Sequence, residues 1–178
     1  MTAVAFCALL VSGVAILLAH PRLYWGETGA VGAPSLIDLP LPFVLVGQSG
    51  WGRYLHFLSA WIAVVTGAIY VLYGLWTRHF RMRDYNPLQR RTYLIVVFAL
   101  FPLMIWSGLA MSPAIVSVVP GAVRVLGGQQ SARTIHFFAA DLLVLFLLVH
   151  IGMVWRAGFT DRVRGMITGW TPAATDER

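Results

Sequence analysis

The sequence contains no lysine and little charge of either sign. Charged residues make up only 11% of the 178 residues, whereas hydrophobic residues make up 58%. This balance lies outside the range of soluble globular domains and indicates a membrane protein with several spans. All thirteen basic residues are arginine, and the formal net charge is +6. In a membrane protein an arginine excess marks cytoplasmic loops, so we infer no nucleic-acid partner from it.

Cysteine is almost absent as well. The single cysteine, Cys7, lies in an apolar run and cannot form an internal disulfide. The motif Cys-x-x-Cys-His does not occur, which excludes a covalently attached c-type haem. The start of the chain lacks both the basic region and the small-residue cleavage site of a signal peptide. We therefore interpret its first apolar run as a membrane helix.

Four apolar runs predict the architecture. We expect membrane helices at about residues 3–19, 54–77, 93–111 and 134–155, followed by a polar tail over 156–178. The first run is short for a span, and Pro102 is expected to kink the third. Two segments, 41–46 and 115–126, are too short to span and are predicted to lie in the interface, the second broken at Pro120-Gly121. The predicted fold is an all-α four-helix membrane bundle, one domain over 1–178.

The arginines predict the orientation. Five lie between the second and third spans and four in the tail, whereas the two other loops hold two each. Because positive residues stay on the cytoplasmic side, we expect both termini in the cytoplasm of a bacterium, with the chain in its inner membrane. The two loops rich in glycine and proline then lie on the outer side.

Two histidines in the fourth run carry the strongest functional signal. His136 and His150 are fourteen positions apart, which on an α-helix is nearly four whole turns and a rise of about 21 Å. Both imidazoles therefore leave one face of the helix, at two depths of the membrane. Ionisable groups inside a membrane are costly and usually functional. The pattern predicts two stacked metal centres, and we interpret them as two b-type haems about 20 Å apart.

His56 lies at the outer end of the second span, at the depth expected for His136. A six-coordinate haem iron takes two axial ligands from opposite sides, so we predict that His56 and His136 form the outer pair. A strip of small residues follows His56 on its face of the helix, namely Ala60, Ala63, Gly67 and Gly74. The strip fits a flat porphyrin, but it fits close helix packing equally well. Gly67 and Gly74 are therefore possible supporting residues, as is His20 through a propionate or a loop carbonyl.

His150 lacks a partner at the inner depth. His79 is on the correct side, but it is rotated by about 140° from the His56 face and lies beyond the hydrocarbon. His20 is at the outer end of the first span. An inner ligand on that span would fall just upstream of Met1, so we expect the sequence to be shortened at its N-terminus and its inner haem to lack one ligand.

Several segments resemble the prokaryotic four-helix cytochrome b subunits that serve nickel hydrogenases, formate dehydrogenases and thiosulfate reductases. The resemblance rests on AHPRLYWGE (19–27), RYLHFLSAW (53–61), YNPLQ (85–89), LAMSPA (109–114) and SARTIHFFAADLLVLFLLVHIGMV (131–154). It covers nearly the whole chain and is closest to the thiosulfate-reductase-like branch, whose members are associated with a molybdopterin oxidoreductase.

The resemblance implies haem ligands at His56, His136 and His150. The helix-one ligand of the family, in a His-Trp pair, would fall before Met1. It also implies electron transfer between quinone in the membrane and a periplasmic oxidoreductase subunit, with quinone near His150 and the arginine-rich inner loop. The protein would then move electrons, and its partner would carry out the organic redox step. Two alternatives remain: a small transporter with a histidine-lined path, and a haem-free membrane anchor for a peripheral enzyme.

Overall fold

A computed structural model describes residues 2–27, 33–40, 49–78 and 87–156. The predicted interfacial segment at 41–46, His79 and the tail beyond residue 156 lie outside the described residues. The chain divides into two compact units, Met1–His136 and Phe137–Arg178. A single helix, Gln129–Arg156, runs through both units.

The described residues are mostly helical. The helices are α1 (Thr2–Ala19), α2 (Ser49–Trp76), α3 (Pro87–Ile95), α4 (Phe101–Ala110), α5 (Pro113–Val118), α6 (Gly121–Arg124) and α7 (Gln129–Arg156). Two short strands, β1 (Arg22–Leu23) and β2 (Ile37–Asp38), pair antiparallel. Each of the last three predicted spans begins five or six residues later than the helix observed, since polar residues at a helix entrance carry no apolar signal.

Three of these helical stretches are long and apolar enough to cross a membrane, counted over the described residues. They are Gly50–Trp76, Pro87–Ala110 and Gln129–Arg156, with mean hydropathies of 1.9, 2.1 and 2.4. Helix α1 is apolar but shorter, and its apolar part covers Ala3–Ala19. The structure therefore supports the last three of the four predicted spans by length and composition. The first span, predicted at about 3–19, stays a prediction.

Small residues allow α1 and α2 to pack closely. Ser12 is fully buried, and Ala15 and Ala19 are each less than a tenth exposed. On α2, a Cβ added at Gly52 would lie 3.3 Å from the Ala15 Cβ and 3.5 Å from the Ser12 carbonyl oxygen. Glycine at this position therefore brings the backbones together, as is usual for helices that associate in membranes.

Between α3 and α4 the helix widens into a π-helical turn, Val96–Leu100. The Phe101 amide donates to the carbonyl of Val96, five residues back. Pro102 follows at once, and proline has no amide hydrogen to continue the α-helical ladder. The distortion predicted at Pro102 thus takes the form of a π turn immediately before it.

The connection from α4 to α7 is two short helices. They are separated at Val119-Pro120, one residue before the break predicted at Pro120-Gly121. Helix α6 packs its Val123 against Ala110 at the end of α4 and Ala132 in α7, and the three side chains form a small buried cluster. The indole Nε1 of Trp106 donates to the carbonyl of Ala122 at 3.0 Å. These contacts fix the start of α7 relative to α4.

The turn around Gly26 docks on the first turn of α7. The carbonyl of Gly26 accepts from the Gln130 amide at 3.1 Å, which satisfies a free donor of the helix start. The Gly26 amide donates to the Ser131 hydroxyl at 2.7 Å, and the Thr134 hydroxyl donates to the carbonyl of Tyr24 at 2.7 Å. The segment Trp25-Gly26-Glu27 therefore has a structural role, which is to hold the α1–α2 connection against α7.

Candidate functional site

The structure brings His56 of α2 and His136 of α7 together. Their ring centroids are 6.2 Å apart, and the ring planes are inclined by 64°. Both side chains are half-buried. These are the two residues that the sequence analysis predicted as the outer pair, and both lie within the first compact unit.

A serine from a neighbouring helix orients the His56 ring. The Ser12 hydroxyl lies 3.0 Å from His56 Nδ1 and 2.6 Å from the carbonyl oxygen of Ala8, one turn earlier in α1. A carbonyl only accepts, so the hydroxyl proton points to Ala8 and the serine oxygen accepts from Nδ1–H of the imidazole. This assignment leaves the unprotonated Nε2 of His56 free as a ligand.

His136 has the same arrangement on its own neighbour, α4. The Ser107 hydroxyl lies 3.0 Å from His136 Nδ1 and 2.8 Å from the carbonyl oxygen of Leu103, four residues back. By the same reasoning Ser107 accepts from Nδ1–H and leaves Nε2 unprotonated. Two imidazoles, each with Nδ1 hydrogen-bonded to a serine, are therefore placed side by side.

A glycine follows each of these serines and lies against the same ring. A Cβ added at Gly108 would be 3.3 Å from His136 Cε1 and 3.7 Å from its Nδ1. A Cβ added at Gly13 would be 3.8 Å from His56 Cε1. The two imidazoles thus lie against backbone at both glycines, with the tighter contact at Gly108.

His150 lies in the second unit, on the same continuous helix as His136. Its ring stacks on that of Phe146, with centroids 5.9 Å apart and planes inclined by 20°. The stack restricts the rotation of the imidazole. The role of His150 as the ligand of an inner metal centre stays a prediction.

The predicted supporting residues have varied surroundings. His20 has an exposed side chain, and its backbone carbonyl accepts from the guanidinium of Arg133. Partial desolvation lowers the pKa of the His20 imidazole, and the positive charges of Arg133 and Arg53 lower it further. Gly74 is buried, whereas a Cβ added at Gly67 would meet no atom within 4 Å. Supporting roles for these three residues remain predictions.

Sequence reasoning missed the two serines, although the chain carries a signal for them. The segment Ser-Gly-x-Ala occurs at 12–15 and again at 107–110. Likewise, Arg-x-x-His-Phe occurs at 53–57 and again at 133–137. Each half of the chain therefore supplies one of the two serines and one of the two paired histidines, and a search for internal repeats would have found both motifs.

Comparison with known proteins gives the family. The profile of the family described as prokaryotic cytochrome b561 matches residues 1–169. The chain belongs to the prokaryotic cytochrome b561 family. Membership implies a bacterial membrane protein of electron transport that binds haem b.

A curated relative of this cytochrome comes from Azospira oryzae. It is provisionally named as a protein-methionine-sulfoxide reductase subunit, YedZ1, and is 28% identical over 148 residues, with 65% of this chain and 71% of the relative covered. No solved structure gives a significant match.

The paired histidines of this cytochrome fit a haem iron. When one iron binds two imidazoles, a metal–nitrogen bond of about 2 Å and roughly 1 Å from nitrogen to ring centre place each ring centre about 3 Å from the iron. The two ring centres are then about 6 Å apart. The observed separation of the centroids is 6.2 Å. The donors, their tautomers and their spacing therefore suit a bis-histidine haem, in which His56 and His136 would hold the iron.

The two glycines should respond differently to a methyl group. We expect Gly108→Ala to displace the His136 ring by a few tenths of an ångström, with a cost of about 1–3 kcal/mol for overpacking. Gly13→Ala makes only an ordinary contact and serves as the matched control. Haem content and thermal unfolding of both variants in detergent test this expectation. Equal behaviour of the two variants would contradict the closer packing at Gly108.

Proposed function

We propose that this cytochrome is an electron-transfer subunit that holds one haem b between His56 and His136. The observation that carries the proposal is the adjacent pair of imidazoles, with ring centroids 6.2 Å apart and each Nδ1 hydrogen-bonded to a buried serine. A transport path lined by histidine would not require two rings held with their free nitrogens available to one metal ion.

Bound haem b accepts and releases one electron reversibly. The residues of the chain do the remaining work, because His56 and His136 hold the iron from two different helices and the serines fix the tautomers. The apolar spans surround the site with a medium of low dielectric, which limits the access of water and tunes the reduction potential. The chain would thus fix the position of the haem and set its reduction potential.

His150 is the proposed ligand of a second haem at the inner depth. It follows His136 by fourteen positions on α7, so its side chain leaves nearly the same face of the helix about 21 Å away. Its stack on Phe146 supports a fixed orientation of the ring. Two haems at these depths would carry an electron across the membrane.

The proposed membrane is the bacterial inner membrane, with both termini in the cytoplasm. The support is the distribution of arginine, with nine of the thirteen in the loop between the second and third spans and in the tail. In this orientation His56 and His136 lie near the periplasm and His150 near the cytoplasm. We place the quinone site near His150, next to the arginine-rich inner loop.

The proposed partner is a periplasmic oxidoreductase subunit of the molybdopterin type. The name of the Azospira oryzae relative, as a subunit of a reductase, supports an oxidoreductase partner. The partner would carry out the organic redox reaction, while this chain exchanges electrons with quinone. Division of labour of this kind is usual where a cofactor carries the chemistry and the protein sets its place.

Reduction by quinol tests this function. We expect a menaquinol analogue to reduce the haem of the purified cytochrome in liposomes, seen as a reduced low-spin absorption spectrum. His150→Ala should slow the reduction of the haem at His56 and His136, because electrons lose their inner step. A coloured protein that quinol fails to reduce would contradict the quinone assignment. A colourless protein would refute electron transfer and favour a transporter or an anchor.

A further inference from the structure

The hydrogen bonds from the two histidines to serine have a consequence for the haem beyond ligation. Rotation of a histidine ring about χ2 has broad minima, so coordination of iron through Nε2 alone leaves the ring plane free to turn. A second contact on Nδ1 removes this freedom. Ser12 and Ser107 provide that contact, each at 3.0 Å.

We propose that Ser12 and Ser107 are positioning residues that hold the two axial imidazole planes of the haem at a large crossing angle and set the basicity of both ligands. The inference rests on the proposed ligation of haem by His56 and His136. It concerns side chains that do not touch the iron themselves.

The serines are well fixed for this task. Both are completely buried, with exposed fractions of 0%. Each oxygen is also within hydrogen-bond distance of two carbonyls of its own helix, at 2.6 and 3.1 Å for Ser12 and at 2.8 and 3.2 Å for Ser107. The hydroxyl proton is therefore committed to the helix backbone. The oxygen lone pairs remain for the imidazole, and the rotamer of each serine is locked.

The arrangement determines the angle between the rings. Each serine lies on a helix next to that of its histidine, Ser12 on α1 beside α2 and Ser107 on α4 beside α7. The hydrogen bonds thus anchor the two rings to different parts of the backbone, and the planes are inclined by 64°. A large angle between axial planes gives ferric low-spin haem a strongly anisotropic electron paramagnetic resonance (EPR) signal, whereas parallel planes give a rhombic one.

The same bonds affect the reduction potential. An imidazole that donates Nδ1–H to an acceptor is a more basic ligand, and hydrogen bonds of this outer kind tune the metal. A more basic ligand favours ferric over ferrous iron. Loss of either serine oxygen should therefore raise the midpoint potential of this haem.

Serine-to-alanine variants of the full chain in nanodiscs test the proposal. We expect Ser12→Ala and Ser107→Ala to retain haem, to lower and broaden the largest g-value of the EPR signal, and to shift the midpoint potential upward. The two shifts should add in the double variant, because the serines act on opposite ligands of one iron. Subtraction of the His136→Ala spectrum isolates the signal of this haem.

Two further variants separate orientation from packing. Ser107→Thr keeps a hydroxyl and should keep the wild-type g-values. Ser59→Ala removes a third buried serine, which lies on α2. Its hydroxyl makes no hydrogen bond to a histidine ring within the described part of the chain. This variant should leave the g-values and the midpoint potential unchanged.

The outcomes distinguish this inference from the proposed function. Unchanged g-values and potential in both alanine variants would overturn the positioning role while leaving haem ligation in place. Equal shifts in Ser107→Ala and Ser107→Thr would also overturn it, because the hydroxyl would then be irrelevant. Wild-type protein without haem, or an undiminished haem content after replacement of His56 and His136, would instead refute the proposed function.

Discussion

Replacement of His136 by alanine is expected to remove one haem per chain. The imidazole supplies one of the two axial bonds to the proposed haem, and its loss leaves His56 alone on the iron. Haem stoichiometry from the pyridine haemochrome assay, together with the low-spin absorption spectrum, measures the loss. Ser59→Ala is the control, since Ser59 is a buried side chain of α2 outside the set of predicted site residues.

His56→Ala should remove the same haem, not a second one. The double variant His56→Ala/His136→Ala should therefore lose no more haem than either single variant, because both residues bind one iron. Such complete non-additivity is a signature of groups that act as a unit. A stepwise loss, with one haem for each histidine, would contradict the pairing and would place the two residues at different sites.

Gly128→Ala is expected to destabilise the protein strongly. Gly128 has a φ of +110°, and a Cβ there would lie 2.2 Å from the carbonyl oxygen of Gly26 and 2.7 Å from the amide of Glu27. Backbone must therefore move, and the turn that satisfies the start of α7 would be displaced. The strained φ alone costs about 1–3 kcal/mol, and the clash adds to it. Thermal unfolding in detergent should detect a large fall in Tm.

Gly121→Ala is a matched control for this effect. A Cβ at Gly121 meets no atom within 4 Å, and its φ is not in the left-handed region. Its Tm should therefore remain close to that of the wild type. Equal Tm values for the two variants would contradict the docking of the Gly26 turn on α7.

The sequence was sufficient to predict that His56 pairs with His136. The direction in which each helix crosses the membrane and the position of each histidine along its apolar run can both be read from local sequence. Two histidines at the same ends of their runs had to lie at similar depth once the arginines gave the topology. The contact at 6.2 Å then required only that α2 and α7 be neighbours at that depth. The approximate positions of the apolar helices were equally predictable, because composition determines them.

Other features depend on tertiary contacts that no local pattern contains. Whether Ser12 faces His56 depends on how α1 is rotated against α2, and that rotation is set by the close approach of Gly52 to Ala15. The role of Gly26 depends on a contact with residues more than a hundred positions later. The start of α2 was missed for a simpler reason, since Ser49 to Arg53 has a mixed composition and carries no continuous apolar signal.

The π-helical turn at Val96–Leu100 determines which way α4 faces. A π turn contains one residue more than an α turn, so each later side chain is turned by about 100° from where an unbroken α-helix starting at Pro87 would put it. Ser107 follows this turn and bonds to His136 at 3.0 Å. If all of these residues continued instead as an unbroken α-helix, Ser107 would be turned away from the imidazole. The alignment of one proposed haem ligand thus depends on a one-residue surplus that lies nearly two helical turns before the serine that contacts it.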